Sequence, residues 1–142
     1  MLKKYLFSLL ILLISSFANA DTNYISEGNK DAKIEIIVYE SLTCGHCASF
    51  HKDVYPGLKE EFIDTGLAKI EFRHFPLDIA ALNASKITQC NKEQSLEILN
   101  ILYKNQKNWI KGNSLEEINI NLKKFIENEK FDVDFKKCIN NK

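Results

Sequence analysis

Two cysteines separated by two residues, Cys44-Gly45-His46-Cys47, stand between a short apolar run and a long helical pattern, and few folds accommodate that order. Upstream, Lys33 to Tyr39 reads Lys-Ile-Glu-Ile-Ile-Val-Tyr. It is rich in β-branched and aromatic residues and too short for an ordinary helix, so a buried strand is expected. Downstream, apolar residues recur at Phe50, Val54, Leu58 and Phe62 with helical spacing. Pro56 should kink or restart that helix, because it lacks an amide hydrogen and crowds the preceding turn. Thr65-Gly66 closes the segment. Ala68 to Phe75 then alternates, with Ile70 and Phe72 on one face and Glu71 and Arg73 on the other, until Pro76 stops it. Strand, helix and strand in this order predict a βαβ unit over residues 33–76 with a parallel strand pair.

Beyond Pro76 the pattern is helical throughout. Asp78 can cap a helix carrying Ile79, Leu82, Ile87 and Cys90. Leu96, Leu99, Leu102 and Tyr103 form the next apolar face, widened by Ile98 and Ile101, so that helix should be well buried. Gly112-Asn113 is a break. Ser114 with Glu117 is a capping box opening a helix through Leu115, Ile118, Leu122, Phe125 and Ile126. Phe131, Phe135, Cys138 and Ile139 mark a last short helix. The expected class is α/β in the first half with a helical region over 77–142. Asp21 to Asp31 is polar and reads as a mobile lead-in.

The first residues have a different character. Met1 to Lys4 is cationic, Tyr5 to Ile14 is apolar except for Ser8, and Ala18-Asn19-Ala20 ends the stretch. That is the three-part pattern of a secretory signal over 1–20, cleaved after Ala20. The competing reading is a membrane anchor, but the apolar run is shorter than the roughly 20 residues a spanning helix needs. Removing Lys3 and Lys4 from the 19 basic residues leaves 17 against 19 acidic ones, a net charge of −2. That balance speaks against a nucleic-acid partner, which calls for a basic excess or a clustered basic face.

An exported chain meets an oxidising compartment, where paired cysteines become disulfides. Only a thiolate attacks a disulfide. Cys44 lies where a strand ends and a helix starts, so free amide hydrogens and the positive end of the helix dipole favour a negative sulfur there. Cys47 falls one turn on, close enough to bridge. Cys44 is therefore the expected exposed nucleophile and Cys47 its buried resolving partner. His46 can donate a hydrogen bond or a positive charge to the Cys44 thiolate. Lowering a thiol pKa from about 8.5 to about 3.5 corresponds to about 7 kcal/mol. Since about 30 mV equals about 1.4 kcal/mol for a two-electron couple, the local field can make such a disulfide an oxidant.

Two plainer readings compete. Cys44 and Cys47 could be half of a zinc site with His51 as third ligand, but no fourth ligand is evident and structural zinc takes four. They could also form a merely structural disulfide. The strand-then-helix context favours redox chemistry over both, with no metal and no cofactor required. Cys90 and Cys138 are left either as two separate core cysteines, packing as small hydrophobes, or as a disulfide across the helical region. His51 and His74 read as surface or packing residues, and Trp109 as a core or surface anchor.

Together, Ile34 to Tyr39, Ser41-Leu42-Thr43-Cys44-Gly45-His46-Cys47-Ala48, Phe50-His51-Lys52 and Phe72-Arg73-His74-Phe75-Pro76-Leu77-Asp78 resemble the DsbA family of bacterial periplasmic thiol-disulfide oxidoreductases. The resemblance implies a thioredoxin-like fold with a helical insertion after Asp78. It implies Cys44 as nucleophile, Cys47 as resolving thiol, reduced unfolded secreted proteins as substrates, and a membrane quinone-linked oxidase as redox partner to a periplasmic monomer. It also raises the Cys90–Cys138 pairing. The central Gly-His pair is similar to that of eukaryotic disulfide isomerases, so shuffling is a further implication. Two departures stand out. The family's strand acid, six residues before the first cysteine, is replaced by Val38, and Glu40 is the candidate substitute. The family's last two strands and final helix, led by a cis-proline, have no counterpart after Asp78: the two prolines, Pro56 and Pro76, both come earlier. A fold lacking its C-terminal ββα part, with exposed edges and an open core face, is the expectation. On that footing a non-catalytic remnant is the alternative to an oxidoreductase.

Overall fold

The computed structural model describes residues 24–140; the proposed signal over 1–20 lies outside them. Three strands form one sheet in the order β1-β3-β2, with β1 at Ile25–Gly28, β2 at Ile34–Glu40 and β3 at Ala68–His74. β2 and β3 run parallel, from Ile34 opposite Ala68 to Glu40 opposite His74, as the βαβ pattern requires.

The central strand β3 buries Ala68, Ile70 and Phe72 and turns Lys69, Glu71 and Arg73 to the other side, as its alternation predicts. β2 departs from expectation. Ile34, Ile37 and Tyr39 are 54%, 40% and 62% exposed, and only Ile36, Val38 and Glu40 turn inward. β2 is an edge of the sheet among the described residues, and on its outer face Tyr39 meets only the Arg73 guanidinium of β3, with no helix packed over it there. A mainly apolar run with no alternation cannot distinguish an edge from a centre.

The lead-in expected before residue 31 is partly a strand instead. β1 pairs antiparallel with β3, Ile25 opposite Phe72. Ile25 is buried, and Glu27 accepts hydrogen bonds from the Tyr55 hydroxyl and, at 2.6 Å, from Lys59 Nζ. Gly28 closes the strand at φ +105°, where a Cβ would meet the Ala68 carbonyl oxygen at 2.9 Å. Four residues with a single apolar side chain carry no periodic signal, so tertiary contacts decide this element.

The helical path after the cysteines is continuous but unevenly wound. It comprises α1 (Gly45–Ser49), a π-helical segment Phe50–Val54, α2 (Tyr55–Leu58) and a second π-helical segment Lys59–Ile63. Pro56 sits in the first turn of α2, where its missing amide is tolerated, and the helix restarts there as expected. The wider turns show as bonds from Tyr55 N–H to the Phe50 carbonyl and from Asp64 N–H to the Lys59 carbonyl.

The remaining helices are α3 (Ile79–Cys90), α4 (Ser95–Lys104), α5 (Gln106–Trp109), α6 (Leu115–Asn128) and α7 (Phe135–Asn140). Among the described residues no strand follows α3. Asp78 caps α3, its carboxylate accepting from Ala81 N–H at 2.7 Å. The capping box at Ser114 is shifted. Ser114 Oγ accepts from Glu117 N–H as predicted, but Glu117 Oε2 accepts from Asn113 N–H, one residue earlier. α1 and the first π segment pack on α4, while the second π segment packs on β3. Leu42, Ile87, Ile98, Leu99, Leu102, Trp109 and Leu122 join Ile70 and Phe72 in one core. Trp109 is thus a core residue, its indole N–H donating to the Leu102 carbonyl at 2.9 Å. Cys90 at the end of α3 is bonded to Cys138 of α7, which decides between the two readings of that pair. No helix among the described residues is long and apolar enough to cross a membrane.

Candidate functional site

β2 ends at Glu40, and Ser41 to Thr43 form the turn that delivers Cys44 to the start of α1. Leu42 is fully buried and anchors the turn. Ser41 accepts the Cys44 amide at its carbonyl (3.0 Å) and the Leu77 amide at Oγ (3.3 Å). Thr43 Oγ1 donates to Asp78 Oδ2 at 2.7 Å, so the residue capping α3 also holds the cysteine turn.

Cys44 is itself the N-cap of α1, with extended backbone angles, and its Sγ accepts from Cys47 N–H at 3.3 Å. Both sulfurs are free thiols and both residues are half-buried. The expected contrast of an exposed and a buried cysteine is therefore one of degree; the sharper contrast is electrostatic. Hydrogen bonds from the Cys47 side chain and amide, with a further one from the His46 amide, hold the Cys44 thiol below its ordinary range against a smaller effect of burial. Burial first, then the bond to Cys44 and the nearby Glu40 charge, push the Cys47 thiol up. His46 is exposed.

Behind the dithiol lies a polar cluster in the core. Glu40 is 2% exposed, and its Oε2 lies 2.7 Å from His51 Nε2. The His51 ring stacks on Tyr103, with centroids 4.0 Å apart, and lies against Phe72 and Tyr55. His51 is therefore a packing residue with a partner, and its ring nitrogen is committed to Glu40 rather than to the thiols. Among the described residues no three His, Cys, Asp or Glu side chains converge to hold a metal. His74 is likewise internal, bonded through Nε2 to Thr88 Oγ1 at 2.7 Å, and burial pushes its imidazole down to about 4.

Burial raises the Glu40 carboxyl, more than its bond to His51 lowers it. The charged form is thus disfavoured in the folded state. The resulting destabilisation is absent below the unfolded carboxyl's pKa of about 4.3 and complete above the raised folded value. Glu40→Gln, which keeps the shape and removes the charge, should raise the melting temperature at pH 7.5 and leave it unchanged near pH 3.5. Paired melts at the two pH values check this, and a lower melting temperature for E40Q at pH 7.5 would contradict it.

Sequence reasoning missed Gln106. This buried side chain on α5 donates from Nε2 to the Leu42 carbonyl at 2.9 Å and to the Cys44 carbonyl at 3.0 Å. No local pattern links positions more than 60 residues apart, so the sequence carries no signal for it. Gln106 also walls a cavity of about 740 Å³ between α1 with the first π segment and α4–α5, along with His51 and Tyr103.

A family profile described as thioredoxin matches residues 20–142. The chain belongs to the thioredoxin family and is DsbA-like. A crystal structure of Wolbachia pipientis alpha-DsbA1 superposes with a TM-score of 0.75 at 34% identity, covering 85% of this chain and 61% of that one. A protein-disulfide isomerase from Novosphingobium aromaticivorans gives the same TM-score at 20% identity, which speaks to the fold alone. A Rickettsia bellii protein named, provisionally, as a protein-disulfide oxidoreductase is 35% identical over 100 residues, 69% of this chain and 39% of that protein. The DsbA-like chain thus spans about two fifths of the length of that curated relative. The resemblance in the cysteine turn and the helical insertion is in keeping with this membership.

Proposed function

We propose that this chain exchanges disulfides with reduced, unfolded exported proteins in the periplasm, through Cys44 and Cys47. The observation that carries the proposal is the seat of the Cys44 sulfur at the head of α1, hydrogen-bonded by the Cys47 amide. In the oxidised form Cys44 and Cys47 are bonded to each other. A substrate thiolate attacks Cys44 Sγ, the intramolecular S–S bond breaks, and Cys47 leaves as a thiolate that takes up a proton. A second substrate thiolate then attacks the substrate sulfur of the mixed disulfide. Cys44 leaves as a thiolate, and two electrons have passed from the substrate to this chain. Stabilising that thiolate favours the reduced protein, which makes the disulfide the stronger oxidant. Glu40, beside Cys47 and protonated more readily than an ordinary carboxyl, is suited to supply or hold the proton that Cys47 exchanges. The His46 ring, exposed at the mouth of the site, adds a donor toward an incoming sulfur. A membrane quinone-linked oxidase would restore the disulfide. In this reading residues 1–20 direct export, 33–76 carry the chemistry, and 77–142 form the helical insertion.

The open outer face of β2 favours a second reading, in which the chain is a dithiol module without a substrate groove. Adding the oxidised protein to reduced, unfolded ribonuclease distinguishes the two. Ribonuclease activity should return in proportion to the disulfide supplied; no return from a folded, oxidised sample leaves the module.

A further inference from the structure

We infer that Gln106 is a positioning residue of the dithiol site, holding from α5 the two carbonyls that flank the reactive turn and so aiming the amides that stabilise the Cys44 sulfur. The inference rests on the exchange reading above. A primary amide has two hydrogens on its nitrogen. Gln106 Nε2 uses them on Leu42 and Cys44, the residues on either side of Thr43. Peptide units are rigid planes, so fixing a carbonyl fixes the amide that shares its plane. Holding the Leu42 carbonyl orients the Thr43 amide, and holding the Cys44 carbonyl orients the Gly45 amide. The Cys44 carbonyl also accepts Ala48 N–H at 3.1 Å, so the first turn of α1 is fixed by its own helix and by α5 together. The sulfur's hydrogen-bonded donor, the Cys47 amide, belongs to that turn.

The residue type fits the task. A buried lysine or arginine would donate equally well but bring an unpaired charge into the core. Methionine has the length of glutamine and no donor. A role limited to satisfying buried carbonyls would alter stability and leave the thiol's ionisation alone. A positioning role moves that ionisation.

The test is the pH dependence of Cys44 alkylation by iodoacetamide in the reduced protein, with Gln106→Met and Gln106→Glu beside the parent. Both variants should ionise Cys44 at higher pH. A rise of about one unit appears as an approximately tenfold slower reaction at pH values below the parent's midpoint. The parent supplies a second readout that needs no variant: the Gln106 side-chain NH2 resonances should shift with the midpoint of Cys44 ionisation. Resonances that stay flat through that titration, or a folded Q106M whose alkylation profile matches the parent's, overturn the inference while leaving the exchange reading intact. A parent thiol that ionises like an ordinary cysteine overturns both.

Discussion

Cys44→Ser should reduce the recovery of ribonuclease activity to the uncatalysed background. A serine oxygen cannot form the Cys44–Cys47 disulfide, so the variant has no oxidising equivalent to give at this site; the Cys90–Cys138 bridge, with Cys138 buried, is left in place. Cys47→Ser should fail differently. Its Cys44 can still join a substrate as a mixed disulfide when supplied in activated form, but no resolving thiol remains to release it. The adduct should persist on a non-reducing gel and vanish with reductant. The pair of outcomes assigns the roles: Cys44 is half-buried with a thiol held low, and Cys47 is the neighbour whose thiol is pushed up. Adducts accumulating through Cys47 in C44S at a comparable rate would reverse the assignment. Since only the thiolate is nucleophilic, the electrostatic contrast between the two sulfurs should set their relative rates.

Removing the second disulfide should have the largest effect on stability. Cys90 and Cys138 are 48 residues apart in sequence, with their Cα atoms 5.7 Å apart. In the chain-entropy treatment a loop of that span is worth about 4 kcal/mol. The bridge ties α7 to α3, and Cys138 is buried at its base. The double variant Cys90→Ala/Cys138→Ala should therefore melt about 15 °C lower, on the usual scaling for a domain of this size. Its alkylation profile at Cys44 should be unchanged, because neither cysteine touches the turn at residues 41–47. Thermal melts of the oxidised parent and the variant measure the first effect. A difference of less than about 1 kcal/mol would mean that the unfolded chain is already restricted, or that α7 contributes little to the folded state.

The parts of this fold that were legible in the sequence are those decided by neighbours along the chain. The alternation of Ile70 and Phe72 with Glu71 and Arg73, the cap at Asp78, the restart at Pro56 and the cysteine turn all depend on residues within one or two turns of each other. What escaped depends on partners far away. β1 exists because Phe72 and Lys59 receive it, and its own four residues announce nothing. β2 was legible as a strand but not as an edge, since its place in the sheet is set by what lies beyond Tyr39. Glu40 was singled out through the family likeness. Its pairing with His51 joins a strand end to a helix turn, which only the crossing of those two elements brings about. Gln106 is the extreme case, a polar residue in a four-residue helix whose importance lies wholly in a loop it reaches through space.

The two π segments of the helix that follows the cysteines have a mechanical consequence. Each wide turn accommodates about one residue more than an α turn and sets the helix's phase back by roughly 100°. Two such resets let a single rod present its inner side first to α4 and then to β3. Wound uniformly, it would have carried either the dithiol end or the Lys59 end round toward water. The proline-broken winding works like a change of gear, and it allows one element to serve both layers of the molecule.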